Sequence, residues 1–391
     1  MPAKILFFTD SECPSGMGTV MLNQMQHLDS QRYIPHLVLP RKLKHSYFYQ
    51  RVQALGIPAV LLTVCKEGRD FNALVAYLQA QAFDLVHIHA GVGWEGNWGT
   101  WAARRAGIPS IRTEHLPYVL TDPDERLEHR FVISKLARLV TVSESAYRSF
   151  IQHGVPHEKV RTVLNGINIP SSPSLAEVAA VWDRLALPSH TPLFVSIGRL
   201  EAQKGFDVLL FALPQVLAER PDACFVLVGE GCQSFQLKRL SRELGVDAAI
   251  TWLDHCSYVP ALLTAATAVL MPSRFEGLPL VALEALALGT PVIGTAVAGV
   301  IDIVEHEVTG LLSPPVDSPA LAQSMLRLLR HATLRTWLGR AGPSLIRSRY
   351  TAQHMAAATM DLYDEVLGDY AVDRYPLPQH FAAEQRTGVT V

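Results

Sequence analysis

Short apolar runs alternate with longer amphipathic segments along almost the whole chain, and that alternation is compatible with few folds. KILFFT (4–9), HLVLP (36–40), AVLLTV (59–64), DLVHIH (84–89), PSIRT (109–113), RLVTVS (138–143) and VRTVLN (160–165) read as strands. The intervening segments, such as 19–28, 71–81, 94–106 and 125–137, carry helical periodicity. Strands alternating with helices imply a parallel sheet covered on both faces. Asn165-Gly166 is a turn signal that closes the set, and Ile169-Pro170-Ser171-Ser172-Pro173-Ser174 reads as a hinge. A helix near 175–185 leads into a second set of strands: LFVSIG (193–198), CFVLVG (224–229), AITWL (249–253), AVLMP (268–272), PVIG (291–294) and a short strand at 310–315. Helical segments are expected at 206–219, 234–244, 257–266, 279–288, 317–331, 333–341 and 350–367. The expectation is an α/β chain with one Rossmann-like domain over 1–170, a second over 171–348, a helix over 349–370 and an aperiodic tail over 371–391.

Composition narrows the function. With 391 residues and 49% hydrophobic content the chain can build two full cores. Its 34 Lys and Arg against 36 Asp and Glu give a net charge of −2, which offers nothing to a nucleic acid. MPAKILFFTD reads as a first strand and not as a leader, and no apolar run reaches the length of a membrane span. The cysteines, at 13, 65, 224, 232 and 256, form no C-x-x-C pair, so neither a disulfide framework nor a zinc site is indicated and a cytoplasmic setting is simplest. The first half carries a basic excess that includes Arg41, Lys42 and Lys44, followed by Tyr47, Phe48 and Tyr49. This 41–49 segment has two readings: a solvated helix with its aromatics turned inward, or a contact with the inner face of an anionic membrane.

Chemistry concentrates at strand ends. SRFEGLPLVALEALALGTPVIGT (273–295) places Glu276 in a strand-to-helix loop, Pro279 at the helix start, Glu284 within the helix and Gly289 just past its end. Two acids and a helix N-terminus at one mouth suit a ligand that is part sugar and part phosphate; the alternative is a loop charge and a solvated helix residue. FVSIGRLEAQKGFDVLL puts Arg199 after a strand and Lys204 before a helix, an anion site suited to a diphosphate, or else a solvated surface pair. In the first half, TDSECPSGMGT carries Gly16 and Gly18, a glycine loop that can approach a ligand or simply turn tightly. DLVHIH ends at His89, with Glu95 and Asn97 just beyond, while His87 is assigned to the opposite face. SIRTEH ends at His115, placed either to serve a ligand hydroxyl or to bond backbone. No Asp-x-Asp and no His cluster at metal-ligand spacing is expected in the chain.

In their order along the chain, the glycine loop, the strand-end His, the NGI turn, IGRL-xxx-KG and the Glu-x7-Glu of FEGLPLVALEAL resemble the retaining GT-B glycosyltransferases of family 4, the glycosyl transferases group 1. The resemblance runs from Lys4 to about Leu367. It implies two facing Rossmann-like domains with a cleft between them, and a C-terminal helix that crosses back to the first domain. It implies that Arg199 and Lys204 hold the diphosphate of a nucleotide sugar in place of a metal ion. It further implies that Glu276 contacts the donor sugar's hydroxyls, Glu284 the ribose, and the backbone of Gly277, Leu278 and Pro279 the sugar and phosphate. Gly16 and Gly18 would lie near the diphosphate, Gly299 and Val300 in a later loop open to the nucleotide, and His115 near the donor sugar. His89, Glu95 and Asn97 would fall on the side of the acceptor, which is a sugar, a lipid-linked group or a small molecule. The expected reaction is metal-independent transfer with same-face attack, and no cofactor beyond the nucleotide sugar is expected. Two other readings remain open: a GT-B sugar-nucleotide epimerase and a non-catalytic sugar-nucleotide-binding protein.

Overall fold

A computed structural model describes residues 1–63, 68–91 and 93–374. Cys65, the expected end of the third strand at Val64, and the tail beyond 374 lie outside them. The first sheet holds seven parallel strands: β1 (Ala3–Phe8), β2 (Tyr33–Pro40), β3 (Ala59–Leu62), β4 (Leu85–Ala90), β5 (Ser110–Glu114), β6 (Arg138–Thr141) and β7 (Val160–Thr162). Its order is β3-β2-β1-β4-β5-β6-β7. Helices α1 (Ser15–His27), α2 (Tyr47–Ala54), α3 (Gly68–Gln81), α4 (Asn97–Ala106), α5 (Pro123–Ile133) and α6 (Glu144–Gln152) accompany it. The second sheet has six parallel strands, β8 (Leu193–Ile197), β9 (Cys224–Val228), β10 (Ile250–Leu253), β11 (Ala268–Met271), β12 (Val292–Thr295) and β13 (Gly310–Ser313), in the order β10-β9-β8-β11-β12-β13. Its helices are α7 (Leu175–Arg184), α8 (Phe206–Glu219), α9 (Ser234–Glu243), α10 (Val259–Ala265), α11 (Leu280–Ala287), α12 (Ser318–Arg330) and α13 (Ala332–Arg349), and α14 (Ala352–Arg374) follows.

The strands form where the apolar runs predict because both faces of each sheet are covered. Ile5, Leu6 and Phe7 are all fully buried, as are Leu209, Leu210 and Leu213 of α8. Truncating any one of these to Ala would cost about 2–5 kcal/mol. Each sheet reverses its order once, between β1 and β4 in the first and between β8 and β11 in the second. Loops leaving the strands on either side of such a reversal diverge and open a crevice at the strand C-termini. The two crevices therefore locate the site before any side chain is considered.

α14 packs on the first domain. Tyr363 Oη bonds His87 Nδ1 at 2.7 Å, Glu365 pairs with Arg138 at 2.7 Å and Arg161 at 2.6 Å, and Gln24 Nε2 donates to Thr359 Oγ1 at 3.2 Å. The chain passes between the domains twice side by side: Ile167 N donates to Tyr350 O and Ala352 N to Ile167 O.

Three local expectations differ from the structure. α1 begins at Ser15, so Gly16 and Gly18 lie in its first turn and do not form a loop. α13 continues through Pro343 to Arg349, beyond the end expected at 341; its packing on α11 outweighs the lost amide. His87 and His89 share a face, their ring centroids 4.3 Å apart, because residues two apart on a strand point the same way. In the 41–49 segment Leu43 and Phe48 are buried and Lys42 pairs with Glu12 at 2.7 Å, while Tyr47 is exposed. No described helix is long and apolar enough to cross a membrane.

Candidate active site

The loops after β1, β4, β5, β8 and β11 converge on one cleft of ≈ 270 Å³ between the domains. From the first domain it is lined by Ser11, Cys13, Gly16, Met17, Gly91, Glu95 and His115. The second contributes Arg199, Gln203, Lys204, Glu276, Gly277, Leu278, Pro279, Leu280 and Val281, and Asn165 lies at the junction. Two helix N-termini border it. α1 follows Pro14 and α11 follows Pro279, and neither has a side-chain cap. The first-turn amides of both helices are therefore open to a ligand, with the positive ends of their dipoles toward the cleft.

Glu276 is 4% exposed and held on one oxygen. Lys204 Nζ donates to Oε1 at 2.7 Å, and Ser273 Oγ donates to the same atom at 2.7 Å. Oε2 takes part in neither bond, and the residue lines the cleft. β8 and β11 are paired neighbours, which is why the residue ending one crevice loop reaches the carboxylate of the next. Arg199 is tied less tightly. It pairs with Glu201 at 2.8 Å and donates to Gln203 Oε1 at 3.1 Å, both near the surface. The mouth is thus closer to neutral than the Arg199–Lys204 spacing suggests, and an incoming anion must compete with Glu276 and Glu201.

Glu284 stands one helical turn beyond Leu280 on the same side of α11, outside the cleft wall. Burial with no compensating cation pushes its carboxyl up to about 7. Gly299 and Val300 are not in the wall either. Gly299 N donates across the domain boundary to Ser145 Oγ at 2.8 Å and locally to Asp302 Oδ2 at 3.1 Å, and Val300 is a fully buried core residue. Gly18 also turns away from the cleft: a side chain there would meet the Phe48 ring at 3.0 Å, so packing against α2 accounts for it.

His115 lines the cleft and His89 lies wholly buried behind it, His89 Nδ1 to His115 Nε2 being 2.9 Å. Burial pushes the His115 imidazole down to about 4 and that of His87 to about 3, so both are neutral at neutral pH. Glu95 reaches the cleft with Oε2 accepting from Gly91 N at 2.7 Å. Asn97 does not: its Oδ1 accepts from buried Arg112 at 2.7 Å and its Nδ2 donates to Glu128 at 3.1 Å. Asp10, absent from the sequence expectations, sits beside Glu95. Burial, opposed by the bond from Gly96 N, pushes its carboxyl up to about 6. One Asp-x-Asp does exist, Asp122-Pro123-Asp124, against the expectation of none. Asp122 caps α5, accepting from Asp124 N and Glu125 N.

Residues the sequence reading missed are those that act through others. Ser273 carried no sign of its bond to Glu276, and Asn165 was read only as part of a turn. The Ser145–Asp302 contact joins positions 157 residues apart and leaves no local trace.

Residues 14–170 match the family described as Glycosyltransferase Family 4, and residues 183–344 match Glycosyl transferases group 1. A D-inositol 3-phosphate glycosyltransferase of Thermobispora bispora is 30% identical over 309 residues, covering 73% of this chain and 71% of that one. An uncharacterised glycosyltransferase of Methanocaldococcus jannaschii is 25% identical, covering 80% and 83% respectively. Among solved structures, Anabaena HepE in complex with UDP and glucose superposes with a TM-score of 0.81 at 20% identity, over 93% of this chain and all of that one.

Proposed function

Because this chain belongs to the family 4 GT-B glycosyltransferases, we propose that it transfers a sugar from a nucleoside-diphosphate sugar to an acceptor hydroxyl with retention and without a metal ion. The observation that carries this reading is the meeting of two uncapped helix N-termini with Lys204 and Glu276 in one interdomain cleft. Cleaving the bond from the anomeric carbon to the phosphate oxygen leaves positive charge on the sugar and negative charge on the diphosphate. The amides of α1 and α11, with Arg199 and Lys204, stabilise the leaving group. The acceptor oxygen attacks from the face the phosphate leaves, its proton passing to the departing phosphate oxygen. Glu276, fixed through Oε1, offers Oε2 to a donor-sugar hydroxyl. Glu284, a turn further along α11, takes the ribose hydroxyls, and the acceptor enters over Glu95 and His115. The basic turn at 41–45 beside Glu12 leaves room for a soluble or a membrane-held acceptor.

A calorimetric panel of UDP, GDP, ADP and TDP sugars, UDP first because the Anabaena protein holds it, followed by turnover with and without acceptors, tests this. The expected result is acceptor-dependent transfer, an unchanged anomeric configuration by proton NMR and no loss in EDTA. Glu276→Ala is expected to keep the fold and lose turnover. A new sugar nucleotide formed without acceptor establishes an epimerase instead, and binding without any turnover establishes a non-catalytic protein.

A further inference from the structure

Asn165 ends the last segment of the first domain, immediately before the crossing at Ile167, and is 4% exposed. Its backbone is fixed by donation from Asn165 N to Val142 O at 3.3 Å. The next residue packs directly on the returning chain, since a side chain at Gly166 would lie 2.1 Å from Thr351 O. From this fixed base the side chain crosses to the other domain, and Nδ2 donates to Leu278 O at 3.2 Å. Leu278 precedes Pro279, the N-cap of α11. The direction of the Leu278 carbonyl sets the ψ of Leu278 and hence the angle at which the chain enters the helix. The open amides of Leu280 and Val281 depend on that angle. Asn165 Oδ1, by contrast, is buried with no partner, although the residue lines the cleft. A buried amide oxygen left unpaired costs about 1–3 kcal/mol, which is recovered only if something donates to it.

We propose that Asn165 is a donor-positioning residue of the transferase: its Nδ2 holds the Leu278 carbonyl so that the α11 amides face the diphosphate, and its Oδ1 is completed by a hydroxyl of the bound nucleotide sugar. A hydroxyl is the donor group the sugar part of such a ligand brings to this end of the cleft. This rests on the reading of the cleft as a nucleotide-sugar site. The position reports from the hinge side on the same loop that carries Glu276.

The test uses the full chain with Asn165→Ala, Asn165→Asp and wild type. The readouts are KM and kcat for the sugar nucleotide, the affinity for the matching nucleoside, which carries no phosphate, and thermal unfolding. Asn165→Ala is expected to lower kcat/KM for the sugar nucleotide about ten-fold or more, the loss of one to two hydrogen bonds. Nucleoside affinity should stay within about two-fold, since the ribose end at Glu284 does not touch Asn165. Asn165→Asp keeps an acceptor but sets an oxygen against the Leu278 carbonyl, and should be at least as damaging. Parallel loss of nucleoside affinity, or wild-type kinetics in Asn165→Asp, overturns the proposal. Wild-type turnover tests the transferase reading separately, since the Asn165 argument is decided only by the ratios between variants.

Discussion

Replacing Glu284 by Gln should make the ligand-free protein more stable and the nucleotide complex weaker, with a pH dependence that isolates the cause. Glu284 has no cation beside it, and burial alone raises its carboxyl from the ordinary 4.5 to about 7. A carboxyl whose folded value is raised favours folding while protonated. That contribution is complete below 4.5 and is lost as pH rises through 7, so the ionised group burdens the fold above neutrality. Holding the charge there costs about 3 kcal/mol as an upper figure, less because the side chain is only partly enclosed. Gln keeps the shape and removes the charge. At pH 8 Glu284→Gln should therefore unfold higher by roughly 5–10 °C, taking 2–4 °C per kcal/mol for a domain of this size. At pH 5, where the folded carboxyl is protonated and only the unfolded one is largely ionised, the gap should shrink to about a quarter of that. Nucleoside-diphosphate affinity should fall about ten-fold at pH 8, because charge-assisted bonds to ribose hydroxyls become neutral ones. Differential scanning calorimetry at both pH values and titration calorimetry at pH 8 measure all three quantities. A Glu284→Gln protein less stable at pH 8, or equally shifted at both pH values, refutes the burial argument; unchanged affinity refutes the ribose role.

Gly277→Ala places a methyl group 1.9 Å from His115 O and 3.0 Å from the Val142 side chain. The interface must open, at about 1–3 kcal/mol, and kcat/KM should fall at least ten-fold with a larger radius of gyration by solution scattering; a wild-type radius with wild-type kinetics contradicts this. Asp302 accepts from Ser145 N at 3.0 Å, from Ser145 Oγ and from Gly299 N. Asp302→Asn should raise the donor KM several-fold, and a double-mutant cycle with Ser145→Ala should return a coupling of about 1 kcal/mol or more; strict additivity would show that the contact does not act as a unit.

The strands were legible because most carry a run of Val, Ile, Leu or Phe that two covered faces demand. Boundaries failed where a residue has two uses. Gly16 and Gly18 read as loop formers yet sit in a helix turn, Gly18 because Phe48 packs there. The helix expected over 333–341 runs on through Pro343, carried along by the contact of α13 with α11. At the site, Arg199, Lys204, His115 and Glu276 were legible because a charged or polar residue at the end of a buried strand has few other reasons to be there. Their pairings were not legible. Nothing local distinguishes Lys204, locked to buried Glu276, from Arg199, held at the surface by Glu201. Asn165 and Asp302 act across the domain boundary, where sequence spacing carries no distance information.

The glycines of the second domain join the two halves of the site. A side chain on Gly299 would meet Gly277 O at 2.4 Å, and one on Gly277 would meet His115 O. Three backbone segments, from the loops after β12, β11 and β5, are therefore stacked without side chains between them. The amides expected to face the diphosphate belong to the middle layer; Asn165 holds it from the junction, and Ser145 of the first domain's α6, bonded to Asp302 and Gly299, holds its neighbour. The first domain cannot swing away without withdrawing His115 from Gly277 and Ser145 from Gly299 together. Placement of the phosphate-facing loop and closure of the cleft are thus one structural event. A nucleotide sugar would meet a competent loop only when the domains are shut and water is excluded, which favours transfer over hydrolysis of the donor.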